Sequence, residues 1–149
     1  MRDDYAHTQV GWLFLAVTGA MAVGFGWSVV REGRPGSALG LAAAVVCGVL
    51  FCTLTIRLER DRLVWRFGPG LVRRSVPLAE VEEVRPVRNS PLWGWGLRHF
   101  PGGGRLYNVS GTGAVEVRLR SGRRFRLGTD EPEALARALE ARLPPRPAG

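Results

Sequence analysis

The chain has 149 residues and a formal net charge of +8, with 46% apolar and 23% charged residues. These averages hide a partition: residues 1–56 hold 3 arginines against 3 acids, and residues 57–149 hold 18 arginines against 10 acids, which is the whole +8. That split excludes a uniform soluble domain and a disordered polyelectrolyte, and 2 cysteines are too few for a disulfide-stapled secreted module. Every basic residue is arginine, and with 20 Gly and 10 Pro the composition matches the coding bias of a GC-rich bacterial genome. Each arginine is therefore not read as selected for a bidentate contact.

Residues 10–30 form an uncharged run of 21, and residues 35–56 a second of 22, separated by residues 31–34 (REGR). About 20 helical residues cross the hydrocarbon of a bilayer. The sequence thus predicts a two-helix transmembrane hairpin over residues 1–56, with spans at 10–30 and 35–56. Trp12 and Trp27 fall near the ends of the first span, where indoles favour the interface. A cleaved signal peptide fits poorly: Asp3 and Asp4 offset Arg2, no small-x-small site follows, and a second apolar run does. Near the helix ends 7 arginines lie on the side of the termini and 2 in the loop, which predicts a multi-pass inner-membrane protein with both termini cytoplasmic. Small residues recur at Ala16, Ala20 and Gly24, and at Gly36, Gly40, Ala44 and Gly48. Packing of one helix on the other within the hairpin is preferred to a dimerising motif. Cys47 and Cys52 share no helix face and have no acidic or His company, so neither metal nor redox chemistry is expected of them.

From about residue 53 the texture changes from continuously apolar to alternating. Residues 62–67 (RLVWRF), a turn at 68–70 (GPG) and residues 72–78 (VRRSVPL) read as a β-hairpin. Residues 79–85 fit either a strand or a helical turn; residues 89–104 are an irregular connection with at most one short strand; residues 105–110 are a further strand. The clearest hairpin is 114–128 (AVEVRLRSGRRFRLG). Its period of two sets Val115, Val117, Leu119, Phe125 and Leu127 on one face and the charged residues on the other. Residues 131–142 then take a helical period, with Asp130 as the expected N-cap, Pro132 in the first turn and Glu133 completing the cap. Leu135, Ala138, Leu139 and the stem of Arg142 form the stripe to be buried. Residues 57–149 are thus expected to make an all-β or α+β domain, a strongly bent antiparallel sheet or open barrel plugged by the C-terminal helix.

Several segments carry a resemblance: residues 76–84 (VPLAEVEEV), 92–98 (LWGWGLR), 106–111 (LYNVSG), 117–130 (VRLRSGRRFRLGTD) and the PEAL of the last helix. Following a membrane hairpin, this series resembles the small bacterial membrane proteins that carry a pleckstrin-homology-like (PH-like) domain, over about residues 53–142. The resemblance implies a PH-like barrel capped by a C-terminal helix and no catalytic activity. It supplies no residue-level ligand motif.

The residues themselves offer little chemistry. His7 and His99 lack cysteine or carboxylate neighbours at metal spacing. No nucleophile elbow, phosphate-binding loop or dinucleotide fingerprint occurs. Glu80, Glu82 and Glu83 sit beside arginines and read as solvated ion pairs. No catalytic residue, cofactor or metal is therefore expected.

What remains is charge. Arg118, Arg120, Arg124 and Arg126 should share the polar face of one hairpin with Arg123 at its turn, a candidate contact for anionic lipid or an acidic protein. A merely solvated basic face is weighed equally. Trp93 and Trp95 are candidate interface aromatics, with core or barrel-lip packing as the alternative. The expected function is a non-catalytic, membrane-anchored binding or adaptor module; the alternative is a structural subunit of a larger membrane complex. Membrane lipids and a protein in the membrane are the expected partners, and self-association is left open. Nucleic acid is not expected, because nothing resembles a recognition helix.

Overall fold

The computed structural model describes residues 5–93 and 96–144. Strand β1 (Ala6–Val10) comes first, then helices α1 (Trp12–Glu32) and α2 (Pro35–Phe51), then β2 (Thr53–Glu59), β3 (Arg62–Phe67) and β4 (Val72–Pro77). A second group follows: β5 (Val81–Arg88), β6 (Gly96–Phe100), β7 (Gly104–Asn108), β8 (Gly113–Leu119), β9 (Arg124–Gly128) and helix α3 (Pro132–Glu140). The fold is mixed α+β. The strands form two sheets, of order β1-β2-β3-β4 and β5-β8-β9-β7-β6, and no closed barrel among the described residues. All pairings are antiparallel except β7 with β9.

The helical hairpin is defined by its ends. Gly33 takes the left-handed conformation (φ 61°) and its N–H closes on the Val29 carbonyl, a C-terminal glycine cap. Pro35 then opens α2 at a position where a missing N–H costs nothing. Along the seam, Gly40 lies so near the Phe25 ring that a Cβ there would sit 2.6 Å from it, and Gly48 abuts the Thr18 hydroxyl. Ser28 and Ser37 share a hydroxyl hydrogen bond of 2.8 Å near the loop. Gly40, Ala44 and Gly48 thus serve the expected packing within the hairpin, whereas Gly24 and Gly36 face open space. α1 is long and apolar enough to cross a bilayer; α2 is apolar but has 17 residues.

Residues 53–56, expected inside the second span, belong to β2 instead. An uncharged run conceals a strand there: Leu54, Ile56 and Leu58 alternate inward and are each 1% exposed. Strand β1, ending at the start of the expected first span, pairs with β2 from Ala6 opposite Arg57 to Val10 opposite Thr53. Only Gly11 separates β1 from α1, and only Cys52 separates α2 from β2. The Gly11 N–H donates to the Cys52 carbonyl at 2.7 Å, and a Cβ on Gly11 would sit 2.8 Å from the Val109 carbonyl oxygen. The helices are thus inserted between two neighbouring strands of one sheet, with no flexible linker on either side.

The ambiguous segment after residue 78 resolves into both alternatives, a 3-10 turn (Leu78–Glu80) followed by β5. Apolar faces of the two sheets meet in one core, where Trp65 stacks on Phe125 at 4.9 Å and meets Tyr107 edge-on at 5.2 Å. Phe67 extends this cluster to Phe51 at 5.7 Å, at the last residue of α2. α3 buries Leu135, Ala136 and Leu139 against the same core, so Ala136 takes the place expected for Ala138, which is only partly buried.

The expected Asp130 cap is corrected. Glu131 occupies the N-cap of α3 and no side-chain cap bond forms. The Thr129 hydroxyl accepts the Glu131 N–H at 3.1 Å, while the Asp130 carboxylate is taken by His7 on β1.

Candidate functional site

The five arginines singled out in residues 118–126 divide into two groups. Arg126 lies inside a network: its side chain is 16% exposed, its guanidinium meets Glu116 at 2.7 Å and Asn89 at 3.0 Å, and it covers the Phe100 ring at 4.3 Å. Arg118 pairs with Glu82 at 3.3 Å on the same outer face of the sheet. Arg120 donates to the Ala79 carbonyl, Arg123 to the Ser121 hydroxyl and Arg124 to the Gly102 carbonyl, and all three stay exposed without an ion pair among the described residues. In the register Arg118 opposes Arg124 and Glu116 opposes Arg126, so these three arginines share one face, while Arg120 and Arg123 lie beyond the paired positions. Glu116 of the same hairpin and Glu82 of β5 neutralise two of the five, and the second of these carboxylates lies outside what alternation along the hairpin can reveal.

Arg123 and Arg124 join two arginines from elsewhere. A cleft of about 400 Å³ opens between β4 and the β7–β9 pair, with Trp65, Tyr107 and Phe125 in its walls. Arg74, Arg105, Arg123 and Arg124 line it against one acid, Glu80. None of the four forms an ion pair among the described residues. Trp65 is 3% exposed, and its indole N–H is buried without a hydrogen-bond partner among the described residues. Sequence reasoning missed Arg74 and Arg105, which are distant in the chain and carry no local signal.

The cleft and the helical hairpin occupy opposite ends of the domain. The β3–β4 turn touches the hairpin: a Cβ on Gly68 would sit 2.4 Å from the Val49 carbonyl oxygen at the end of α2. β4 leads away from there, from Val72 to Pro77. At about 3.4 Å per residue it covers roughly 17 Å. Beyond it the Arg120 N–H donates to the Glu80 carbonyl, which fixes the arginine-rich β8–β9 turn at the far end.

Apolar side chains gather at the hairpin end instead. Leu71, in the β3–β4 turn, is 79% exposed. Asn89, after β5, donates its N–H to the Thr112 carbonyl in the loop that follows Val109, and so leads the next segment toward this same end. There Leu92 is 94% exposed within the 3-10 turn Pro91–Trp93. Trp95 lies outside the described residues. A second and larger cavity, about 790 Å³, also opens at the hairpin end beside Trp12, but Arg88, Asp130 and Glu133 give it mixed charge.

Near that cavity a three-group contact ties the chain termini of the domain together. His7 Nε2 meets Asp130 Oδ1 at 2.5 Å, and His7 Nδ1 lies 3.6 Å from Glu131 Oε2. The Tyr5 phenol beside them is pushed up to about 12, first by burial and then by the negative charges of Glu131 and Asp130. Among the described residues no group of three or more His, Cys, Asp or Glu side chains is placed to hold a metal ion.

Neither a protein-family model, a curated protein nor a solved structure matches the chain.

Proposed function

We propose that the chain is a membrane-anchored, non-catalytic binding module whose basic end, turned away from the bilayer, docks an acidic protein partner. In this reading α1 and α2 anchor it in a bacterial inner membrane. The arginine asymmetry around the apolar runs keeps both termini and the sheets on the cytoplasmic side. The two facing sheets with α3 over the core serve as a PH-like open barrel. The apolar surface of α1, with Val23 and Val30 more than 70% exposed, supports burial in lipid.

One observation carries the choice of partner. The hairpin enters and leaves the sheets at one end through Gly11 and Cys52, while Arg105, Arg120, Arg123 and Arg124 gather toward the other. Charge attraction in physiological salt fades over about 8 Å. The span of β4, roughly 17 Å, supports a position of Arg120, Arg123 and Arg124 beyond effective reach of headgroups in the anchoring bilayer, and the single-residue connections at Gly11 and Cys52 favour that orientation. A cytoplasmic acidic protein can reach them; the anchoring leaflet cannot.

The test uses the full chain in nanodiscs of neutral lipid, with fluorescent polyglutamate as the acidic probe. Replacing Arg120, Arg123 and Arg124 by Gln should weaken probe binding at least tenfold. Replacing three arginines outside the cleft (Arg57, Arg88 and Arg98) should change it less than threefold. Equal loss in both variants would reduce the effect to net charge and overturn the reading.

A further inference from the structure

We infer that the cleft beside β4 receives an extended acidic segment of the partner, which pairs as an added strand on the free edge of β4. The inference rests on the proposed docking of an acidic protein and specifies how that protein is held.

Two observations converge on an extended chain. β4 ends the order β1-β2-β3-β4, so its outer edge has no ladder partner among the described residues. The cleft begins at that edge, bounded across the gap by β7 and β9. A peptide offers that edge a carbonyl and an N–H at every residue. A strand of five or six residues has the length of β4, and strand addition draws affinity from the main chain while side-chain pockets select the sequence.

Charge selects the occupant. Arg74, Arg105, Arg123 and Arg124 surround the space against Glu80 alone, so alternate carboxylates of an added strand would meet guanidinium groups. Arginines on an edge strand also discourage indiscriminate pairing. A second copy of this chain would bring its own β4 arginines, Arg73 and Arg74, against them and be repelled. Pro77, with no N–H, closes the pairing edge at the far end of β4.

The experiment uses the full chain in neutral-lipid nanodiscs and three fluorescein-labelled decapeptides of alternating Glu and Val. One is unmodified, one is N-methylated at the valines, and one at the glutamates. A strand paired along one edge donates from alternate residues only, so methylation of one set should weaken binding at least tenfold and methylation of the other less than threefold. Arg74→Gln combined with Arg124→Gln should weaken the unmodified peptide similarly. Equal, arginine-dependent binding of all three peptides would overturn the added strand and leave docking at the basic end standing. Absence of binding by all three would overturn both.

Discussion

His7 on β1 and Asp130 before α3 lie 123 positions apart in sequence and meet at 2.5 Å. The contact ties the first strand to the last helix, and it diverts the carboxylate that a sequence reader would assign to the helix cap. With Asp130 63% exposed, the pair is partly solvated and worth about 0.2–1 kcal/mol. Asp130→Ala should therefore cost no more than about 1 kcal/mol of stability, and nothing further when His7 is already Ala. Denaturant unfolding of the four members of the double-mutant cycle measures this. Equal losses with and without His7 would return Asp130 to a capping role.

Gly68 joins the sheets to the helices. Its φ of +46° and the carbonyls of Val49 and Leu50 leave no room for a Cβ. Gly68→Ala should destabilise by about 1–3 kcal/mol through overpacking and strain. Gly24→Ala, in open space on α1, should be neutral or slightly stabilising, because alanine favours helix. Thermal melting of the two variants in micelles compares them; an unaffected Gly68 variant would mean that the turn does not brace α2.

Arg126 and Arg123 should behave as different kinds of residue. Loss of Arg126 leaves Glu116, 16% exposed, without its partner, so Arg126→Gln should cost about 1–3 kcal/mol of stability. Arg123→Gln, at an exposed turn, should leave melting unchanged and weaken binding of an acidic probe. Comparable melting of the two variants would contradict this division.

Tyr5 gives an alkaline signature. Its folded-state value near 12 lies above the ordinary 10, so the folded chain holds this proton more tightly than the unfolded chain. Stability from this group is complete below pH 10 and falls as pH rises toward 12. Tyr5→Phe should flatten that part of the stability profile measured by urea unfolding across the alkaline range. A variant with the same alkaline slope as the parent would assign the loss to other groups.

Much of the fold is legible wherever a pattern is local. The run through residue 30, the alternation in residues 114–128 and the stripe at Leu135 and Leu139 each declare their element within a short window. β1 does not, because AHTQV has a single large apolar residue, Val10, and becomes a strand by pairing with β2 across the inserted helices. The start of β2 escapes for a related reason: Leu54 and Ile56 between threonines prolong an apolar run as readily as they begin a strand. A domain boundary drawn at residue 57 accordingly passes through β2. At the candidate site, hairpin periodicity locates Arg123 and Arg124, whereas Arg74 and Arg105 reach the same cleft only through the meeting of two sheets.

The depth of the arginine-rich turn relative to a bilayer tests the proposed separation of a membrane anchor from a binding end most directly. In a background with Cys47 and Cys52 replaced by Ala, a fluorophore is placed on Leu71→Cys or on Arg123→Cys, in nanodiscs with headgroup-attached quenchers. Position 71, beside the end of α2, should be strongly quenched, and position 123 should remain bright in both neutral and anionic bilayers. Quenching at position 123 as strong as at position 71 in anionic bilayers would place the basic end on lipid and contradict docking of a protein there.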